Sequence, residues 1–363
     1  MVAMKRTLLR RPILGFLFIL ACGFSVAAIV GDIGETIALA QTGNDTAVAD
    51  LPGAPPGSIR GSVSGAEMWR AIREGGVGTV SIPDPKAALL VQSEGDNWRA
   101  WRNGPVAVVG AIAFWIMFFV VFGFHNIRGT IRIEHGRSGR DLRRFSGIER
   151  FGHWLTAGSF LILAVTGVNM IYGKSLLLPI LGHELFATLT QWGKYVHNYI
   201  AFAFMAGLVL IFVLWVRDNL WDRYDWGWIK KGGGLLFPTE HPPAGKFNFG
   251  QKTMFWAVIG FGLILTVTGL NLLFPFAIVD LQQMQWMQVI HGAASQIICM
   301  LMVAHIYIGT VGMEDAFRSM TTGYVDENWA KEHHRAWYDE VKSAEQRHTS
   351  PSPEDGVRVA PAE

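Results

Sequence analysis

Residues 286–313 read WMQVIHGAASQIICMLMVAHIYIGTVGM and contain no Asp, Glu, Lys or Arg. The run exceeds the about 20 residues that a helix needs to span ~30 Å of hydrocarbon. Its two histidines, His291 and His305, are 14 residues apart, which is about 40° short of four helical turns and ~21 Å along the axis. Both therefore lie on one helix face. An ionisable side chain inside an apolar span is a candidate functional residue, because burying it is costly without a partner.

Four more apolar runs precede this one and fix the fold class. A spanning segment must satisfy its own backbone hydrogen bonds, so each is expected to be a helix. The sequence thus predicts an all-α integral membrane protein, with a four-helix bundle over 151–313 and one extra transmembrane helix. The four runs are 105–124, 151–172, 195–216 and 253–274.

Composition excludes several other classes of protein. Hydrophobic residues make up 50% and charged residues 17% of the 363, where a soluble domain has about 25% charged, and the mean hydropathy is +0.27. A net charge of +2 argues against a nucleic-acid-binding protein. The two cysteines, Cys22 and Cys299, exclude a disulfide scaffold and a four-cysteine iron–sulfur or zinc site within this chain.

The N-terminus is typical of an export signal over residues 1–40. Four basic residues precede the apolar stretch 13–30, and Ala38-Leu39-Ala40 before Gln41 is a small-residue cleavage site. The alternative is an uncleaved anchor helix over the same residues. Residues 41–104, rich in Gly, Pro and Ser at their start, are expected to form an exported extension.

The distribution of Lys and Arg predicts the orientation. Loop 125–150 holds seven Arg and loop 217–252 holds six Lys or Arg, whereas 173–194 has only Lys174 and Lys194 and 275–285 has neither. Basic loops stay in the cytoplasm. The mature N-terminus is therefore expected outside a bacterial cytoplasmic membrane, and the C-terminal tail 314–363 inside.

Four histidines fall within the predicted spans and form two layers. His153 and His305 lie towards the cytoplasmic side, and His197 and His291 towards the outer side. Two facing imidazoles suit a six-coordinate haem iron, which carries electrons but has no open position for substrate. Zinc would need further ligands that neither layer supplies. The alternative for each histidine is a hydrogen bond to the backbone or a hydroxyl group of a neighbouring helix.

Six segments between Arg144 and Val341 add a more specific pattern. Together they resemble the cytochrome b (gamma) subunit of membrane-bound respiratory formate dehydrogenase, and the residues before about 125 resemble its N-terminally extended members. The segments are ERFGHW (149–154), VHN (196–198), NFGQK (248–252), VIHGAA (289–294), AHIY (304–307) and WAKEHHRAWY (329–338).

This resemblance implies two b haems and a quinone site. His197 and His291 would hold the outer haem, and His153 and His305 the inner one. Menaquinone or ubiquinone would bind beside the inner haem at Asn248, Gly250 and Gln251, with His305 close by. The alternative for Asn248 and Gln251 is capping of the helix that follows.

The resemblance also implies partners and a function. A catalytic alpha subunit containing molybdenum or tungsten would oxidise formate, and an iron–sulfur beta subunit would pass electrons to the outer haem. This chain would carry them to quinone near the cytoplasmic face and would not oxidise formate alone. Two alternatives stay open: a cytochrome b serving another periplasmic oxidoreductase, such as a hydrogenase or thiosulfate reductase, and a haem-free membrane anchor or transporter.

Overall fold

The computed structural model describes residues 94–234 and 241–349, together with Arg70, Arg73, Glu74 and a short strand pair, Gly78–Thr79 (β1) and Leu89–Val91 (β2). The expected export signal, most of the segment 41–104 and the end of the tail beyond Thr349 lie outside the described residues. Helix α1 spans Glu94–Trp101 and continues through a π-helical turn, Arg102–Val106, into the first long apolar helix.

Five helices in the described part are long and apolar enough to cross a membrane. The chain is therefore a multi-pass, all-α membrane protein, as predicted. Helix α7 ends in a second π-helical turn, Ile308–Gly312. The five are α2 (Ala107–Arg128, preceded by α1), α3 (Gly147–Leu176), α4 (Leu178–Trp215), α6 (Phe249–Leu273) and α7 (Leu281–Tyr307).

The helices extend beyond the apolar runs that predicted them. Most of segment 173–194, expected to be a loop, is helical, because α3 continues to Leu176 and α4 begins at Leu178. The break within α4 is at Gly182, whose φ of 72° and ψ of 172° are not helical. Only glycine adopts this conformation without steric cost.

Three membrane helices begin with the same reciprocal hydrogen-bond arrangement. In each, the side chain of the N-cap residue accepts from the backbone N–H three residues on, and the side chain there accepts from the N-cap N–H. This capping box satisfies two of the four unpaired donors at a helix start. The pairs are Ser146 with Glu149, Asn248 with Gln251, and Asp280 with Gln283.

The chain divides into two compact units. The first comprises the described residues up to Val120, Ala157–Ala206 and Gly260–Val303. Within it, α2 packs on the bundle through Gln296, whose side-chain amide donates to the carbonyl of Val106 at 2.9 Å. The Tyr172 hydroxyl lies against the carbonyl of Ala107 at 2.9 Å and also contacts Oε1 of Gln296. These contacts provide hydrogen-bond partners for polar groups that lipid could not bond.

The second unit comprises Val121–Thr156, Gly207–Ile259 and the described residues from Ala304. It contains what we call the polar assembly, residues 129–145, 241–247 and 313–349. Strand β3 (Asp141–Arg143) pairs antiparallel with β4 (Tyr324–Asp326) and joins the first of these segments to the last. Three short helices follow or flank the pair: α8 (Ala316–Thr321), α9 (Glu327–His333) and α10 (Arg335–Thr349). Helix α5 (Asp225–Lys230) belongs to the same unit.

The polar assembly has its own hydrophobic core. Val325 and Ala330 are fully buried, and Trp329 is 1% exposed. The Asp326 carboxylate caps α9 by accepting from the N–H of Asn328, and it also accepts from the N–H of Ser138. The C-terminal segment, which the sequence predicted to be a cytoplasmic tail capping that face of the bundle or a solvated helix, is a packed structure from Met313 to the last helix.

A buried cation lies within this core. The Arg144 guanidinium lies over the ring of Trp329, 4.8 Å from its centroid, and donates to the Lys246 carbonyl at 2.8 Å. Burial lowers the pKa of Arg144 to about 9, so the group stays charged at neutral pH. Burial also lowers the pKa of His334 well below its ordinary value. Neutral His334 therefore donates from Nδ1 to the Gly245 carbonyl and accepts from Arg144 at Nε2.

Candidate functional site: two facing histidine pairs

The four histidines singled out from the sequence meet in two pairs. In the first unit, His197 on α4 faces His291 on α7, with ring centroids 6.3 Å apart. In the second unit, His153 on α3 faces His305 on α7, and the centroids are again 6.3 Å apart. The pairing is the one predicted from the two layers.

The spacing of both pairs fits one metal ion between two imidazoles. Two ring nitrogens about 2.0 Å from a shared ion, in rings with bonds about 1.35 Å long, place the centroids ~6.3 Å apart. In the described ranges no three His, Cys, Asp or Glu side chains are grouped so that they could hold an ion. A pair alone cannot complete a protein metal site, whereas haem brings four ring nitrogens of its own. The donor set therefore fits a bis-histidine haem.

Threonine hydroxyls hold the imidazoles of the first pair from behind. The Thr166 Oγ1 lies 2.8 Å from Nδ1 of His197, and the Thr268 Oγ1 lies 2.8 Å from Nδ1 of His291. Hydroxyl bonding was the alternative interpretation of these histidines. It engages only Nδ1, so Nε2 stays available for iron.

The two threonines belong to a repeated five-residue segment. Residues 165–169 read VTGVN on α3, and residues 267–271 read VTGLN on α6. The glycines let the rings approach, since a Cβ on Gly167 would lie 3.6 Å from Cε1 of His197, and one on Gly269 would lie 3.3 Å from Cε1 of His291. The sequence interpretation missed these residues, although the repeat was visible in the sequence.

The second pair has different surroundings. Nδ1 of His153 is buried and has no hydrogen-bond partner among the described residues. The neighbouring Trp154 donates from its indole nitrogen to the Met320 carbonyl at 2.9 Å, which ties the start of α3 to α8. A Cβ on Gly152 would lie 3.3 Å from the Leu210 side chain, so α3 and α4 approach closely beside this pair.

The residues expected to bind quinone stand at the start of α6. The side-chain oxygens of Asn248 and Gln251 make the capping box, so the capping alternative is realised. Gln251 Oε1 also accepts from Arg144 at 3.3 Å. Capping uses the two oxygens, and the two NH₂ groups take no part in the box.

An aromatic ring lies beside the same turn. A Cβ on Gly250 would lie 3.1 Å from the Trp228 ring, so glycine makes room for the indole there. Lys252 holds this loop to α6 by donating to Asp222 at 2.7 Å and to Asp225 at 2.9 Å. The start of α6 thus combines amide donors with an aromatic neighbour.

Comparison with known families defines the class of protein. A family model described as prokaryotic cytochrome b561 matches residues 144–323, which include all four paired histidines. Apolar helices that bring histidines face to face, together with this match, define an integral membrane cytochrome b.

Curated relatives narrow the class to one family. The chain is 30% identical over 214 residues, 58% of its length and 94% of the relative's, to the nitrate-inducible formate dehydrogenase cytochrome b556(Fdn) subunit of Escherichia coli K12. It is 28% identical to the cytochrome b556(fdo) subunit of the same organism, over 56% of this chain and 95% of the relative. A Haemophilus influenzae formate dehydrogenase cytochrome b556 subunit is 26% identical, over 53% and 79%. The chain belongs to the family of formate dehydrogenase cytochrome b subunits.

Proposed function

We propose that this chain carries electrons from an iron–sulfur beta subunit through two b haems to quinone. His197 and His291 ligate the haem at which electrons enter, and His153 and His305 ligate the haem from which they leave. A separate alpha subunit with molybdenum or tungsten oxidises formate. This chain is the electron-transfer subunit of the complex and does not oxidise formate alone.

The observation that carries the proposal is the equal spacing of the two histidine pairs, 6.3 Å between ring centroids in each. A haem held by the two imidazoles of a pair would supply a one-electron iron couple, which suits electron transfer and not substrate binding. The relatives are formate dehydrogenase cytochrome b subunits by name, which supports formate as the electron source of the complex.

The quinone part of the proposal assigns a second role to the capping residues of α6. The quinone oxygens accept hydrogen bonds, and the NH₂ groups of Asn248 and Gln251 can donate them while the side-chain oxygens cap the helix. Gly250, the nearby ring of Trp228 and His305 complete the proposed site. A menaquinone or ubiquinone ring would pack on the indole face.

The orientation of the chain in the membrane determines whether electron transfer adds to the membrane potential. With the mature N-terminus periplasmic, the polar assembly lies in the cytoplasm of a bacterium, and quinone takes its protons there. Each charge that crosses is worth ~2.3 kcal/mol per 100 mV of membrane potential. In this arrangement residues 1–40 are the export signal, 41–104 a periplasmic extension and 105–124 the extra transmembrane helix.

A reduced-minus-oxidised absorption spectrum with a haem-to-protein ratio tests the proposal. We expect two b-type haems in the purified wild-type chain and one in His197→Ala or His291→Ala, with quinone reduction from the partner subunits abolished. His183→Ala is the matched control, since His183 is exposed on the same helix as His197. Fewer than two haems in the wild type, or normal quinone reduction in His197→Ala, would overturn the assigned route.

A further inference from the structure

We propose that Thr166 and Thr268 are positioning residues for the electron-entry haem. Their hydroxyls fix His197 and His291 in the tautomer that presents Nε2 to iron, and they lower the reduction potential of that haem relative to the other. The inference rests on the haem ligation proposed above and goes beyond it, because it assigns residues that do not touch iron.

The hydroxyl geometry sets the direction of each hydrogen bond. A threonine hydroxyl has one hydrogen and two lone pairs. The Thr166 hydroxyl donates its hydrogen to the carbonyls of the preceding turn. Its Oγ1 lies 2.8 Å from the carbonyl oxygen of Ile162 and 3.1 Å from that of Leu163. A lone pair therefore faces Nδ1 of His197 at 2.8 Å. The ring nitrogen must then be the donor, so Nδ1 carries the proton and Nε2 carries the free electron pair.

The second threonine repeats the arrangement on the opposite helix pair. Thr268 is 2.7 Å from the carbonyl oxygen of Ile264, and its oxygen is 2.8 Å from Nδ1 of His291. Two VTGxN segments thus place the same acceptor behind the two imidazoles that face each other. One such contact would be explained by local packing; a matched pair on both ligands of one site points to a function.

His153, in the other histidine pair, provides the contrast. Nδ1 of His153 is buried, and no acceptor among the described residues reaches it. An acceptor behind a ligating imidazole raises its basicity, which favours the ferric state and lowers the reduction potential. A haem held by His197 and His291 would then be the stronger reductant of the two, which would favour electron transfer towards a haem held by His153 and His305.

The test is a potentiometric titration of both haems in the purified full-length chain, with the electron-entry haem identified as the one lost in His197→Ala. The variants are Thr166→Val and Thr268→Val, singly and together, which remove the hydroxyl and keep the shape. Thr166→Ser and Thr268→Ser restore the hydroxyl. Thr253→Val is the control, since the Thr253 hydroxyl, on the same helix as Thr268, bonds within the described part of the chain to its own preceding turn alone, at Phe249 O.

We expect the double valine variant to keep two haems, with the midpoint potential of the entry haem shifted upward and that of the other haem unchanged. Loss of the entry haem in the valine variants with retention in the serine variants supports the same role. Unchanged potentials in the double variant, an equal shift in Thr253→Val, or haem loss in the serine variants as well would overturn it. Absence of a His197-dependent haem in the wild type would instead refute the proposed function.

Discussion

An imidazole has two nitrogens, and at His197 and His291 they have separate tasks. Nδ1 of each lies 2.8 Å from a threonine hydroxyl, which leaves Nε2 available for the proposed haem iron. The sequence interpretation treated hydroxyl bonding and haem ligation as competing roles, yet one side chain can perform both. The threonines were missed because a hydroxyl in an apolar helix is usually satisfied by its own preceding turn. Only the folded structure shows that an imidazole lies on the other side of each hydroxyl group.

Asn248 also has two chemical groups, which can be separated experimentally. Asn248→Asp keeps a capping acceptor but removes the NH₂ donor. We expect both haems to remain reducible and stability to change by less than about 0.5 kcal/mol, while reoxidation of the haems by quinone slows several-fold. Asn248→Ala should slow reoxidation similarly and also cost about 1 kcal/mol of stability. Stopped-flow haem reoxidation and thermal unfolding measure the two effects.

The structure supplies a matched control for this experiment. Asp280 caps α7 with the same reciprocal bonds to Gln283, which also shows that aspartate fits such a box. Asp280→Ala should lose comparable stability without changing quinone reoxidation. Reoxidation of Asn248→Asp at the wild-type rate would restrict Asn248 to its capping role.

At the scale of elements, the extra helix α2 is held by Gln296. A Cβ on Gly110 would overlap Oε1 of Gln296, and that side chain cannot move without giving up its bond to Val106 O. Gly110→Val should therefore lower stability by about 1–2 kcal/mol, the worth of one or two hydrogen bonds in a membrane protein. Thermal unfolding and haem content of the purified chain measure this loss.

Gly123→Val is the control, because beyond the local helix backbone no atom of the described residues lies within 4 Å of a Cβ at Gly123 on the same helix. Both substitutions change helix propensity equally, so a difference between them reports the contact with Gln296. Equal unfolding midpoints for the two variants would show that α2 does not depend on this contact.

Hydropathy predicted which segments are helical in the membrane but not where the helices end. It places the start of the third span at residue 195, whereas α4 begins at Leu178. The intervening residues include Gly182, His183 and Glu184, which are too polar for a membrane-spanning window. A helix does not end where its hydrophobicity does, since its backbone hydrogen bonds are equally available to polar residues.

At the scale of the whole molecule, the largest difference from expectation is the polar assembly. Its core joins residues far apart in the chain, such as Leu142 with Val325 and Arg144 with Trp329. A single sequence reveals local features such as hydrophobic periodicity and helix-capping residues. It does not indicate which distant segments pair with one another. The sequence therefore predicted a C-terminal tail over 314–363 but not the distant residues against which it packs.

The orientation of the chain is testable with reporter fusions. Because basic loops stay in the cytoplasm, green fluorescent protein fused after Glu363 should be fluorescent, and alkaline phosphatase at that position should be inactive. Alkaline phosphatase inserted between α6 and α7, after Ile278, should be active. The reverse pattern would invert the proposed direction of charge movement.

The pairing of β3 with β4 also imposes an order on biosynthesis. Arg143 is translated long before its partner Tyr324, and four membrane helices lie between them. The first strand therefore stays without its partner until the last of these helices has been translated. Closure of this strand pair reports that insertion is complete, and a chain truncated before residue 324 would present an unpaired strand to quality-control proteases.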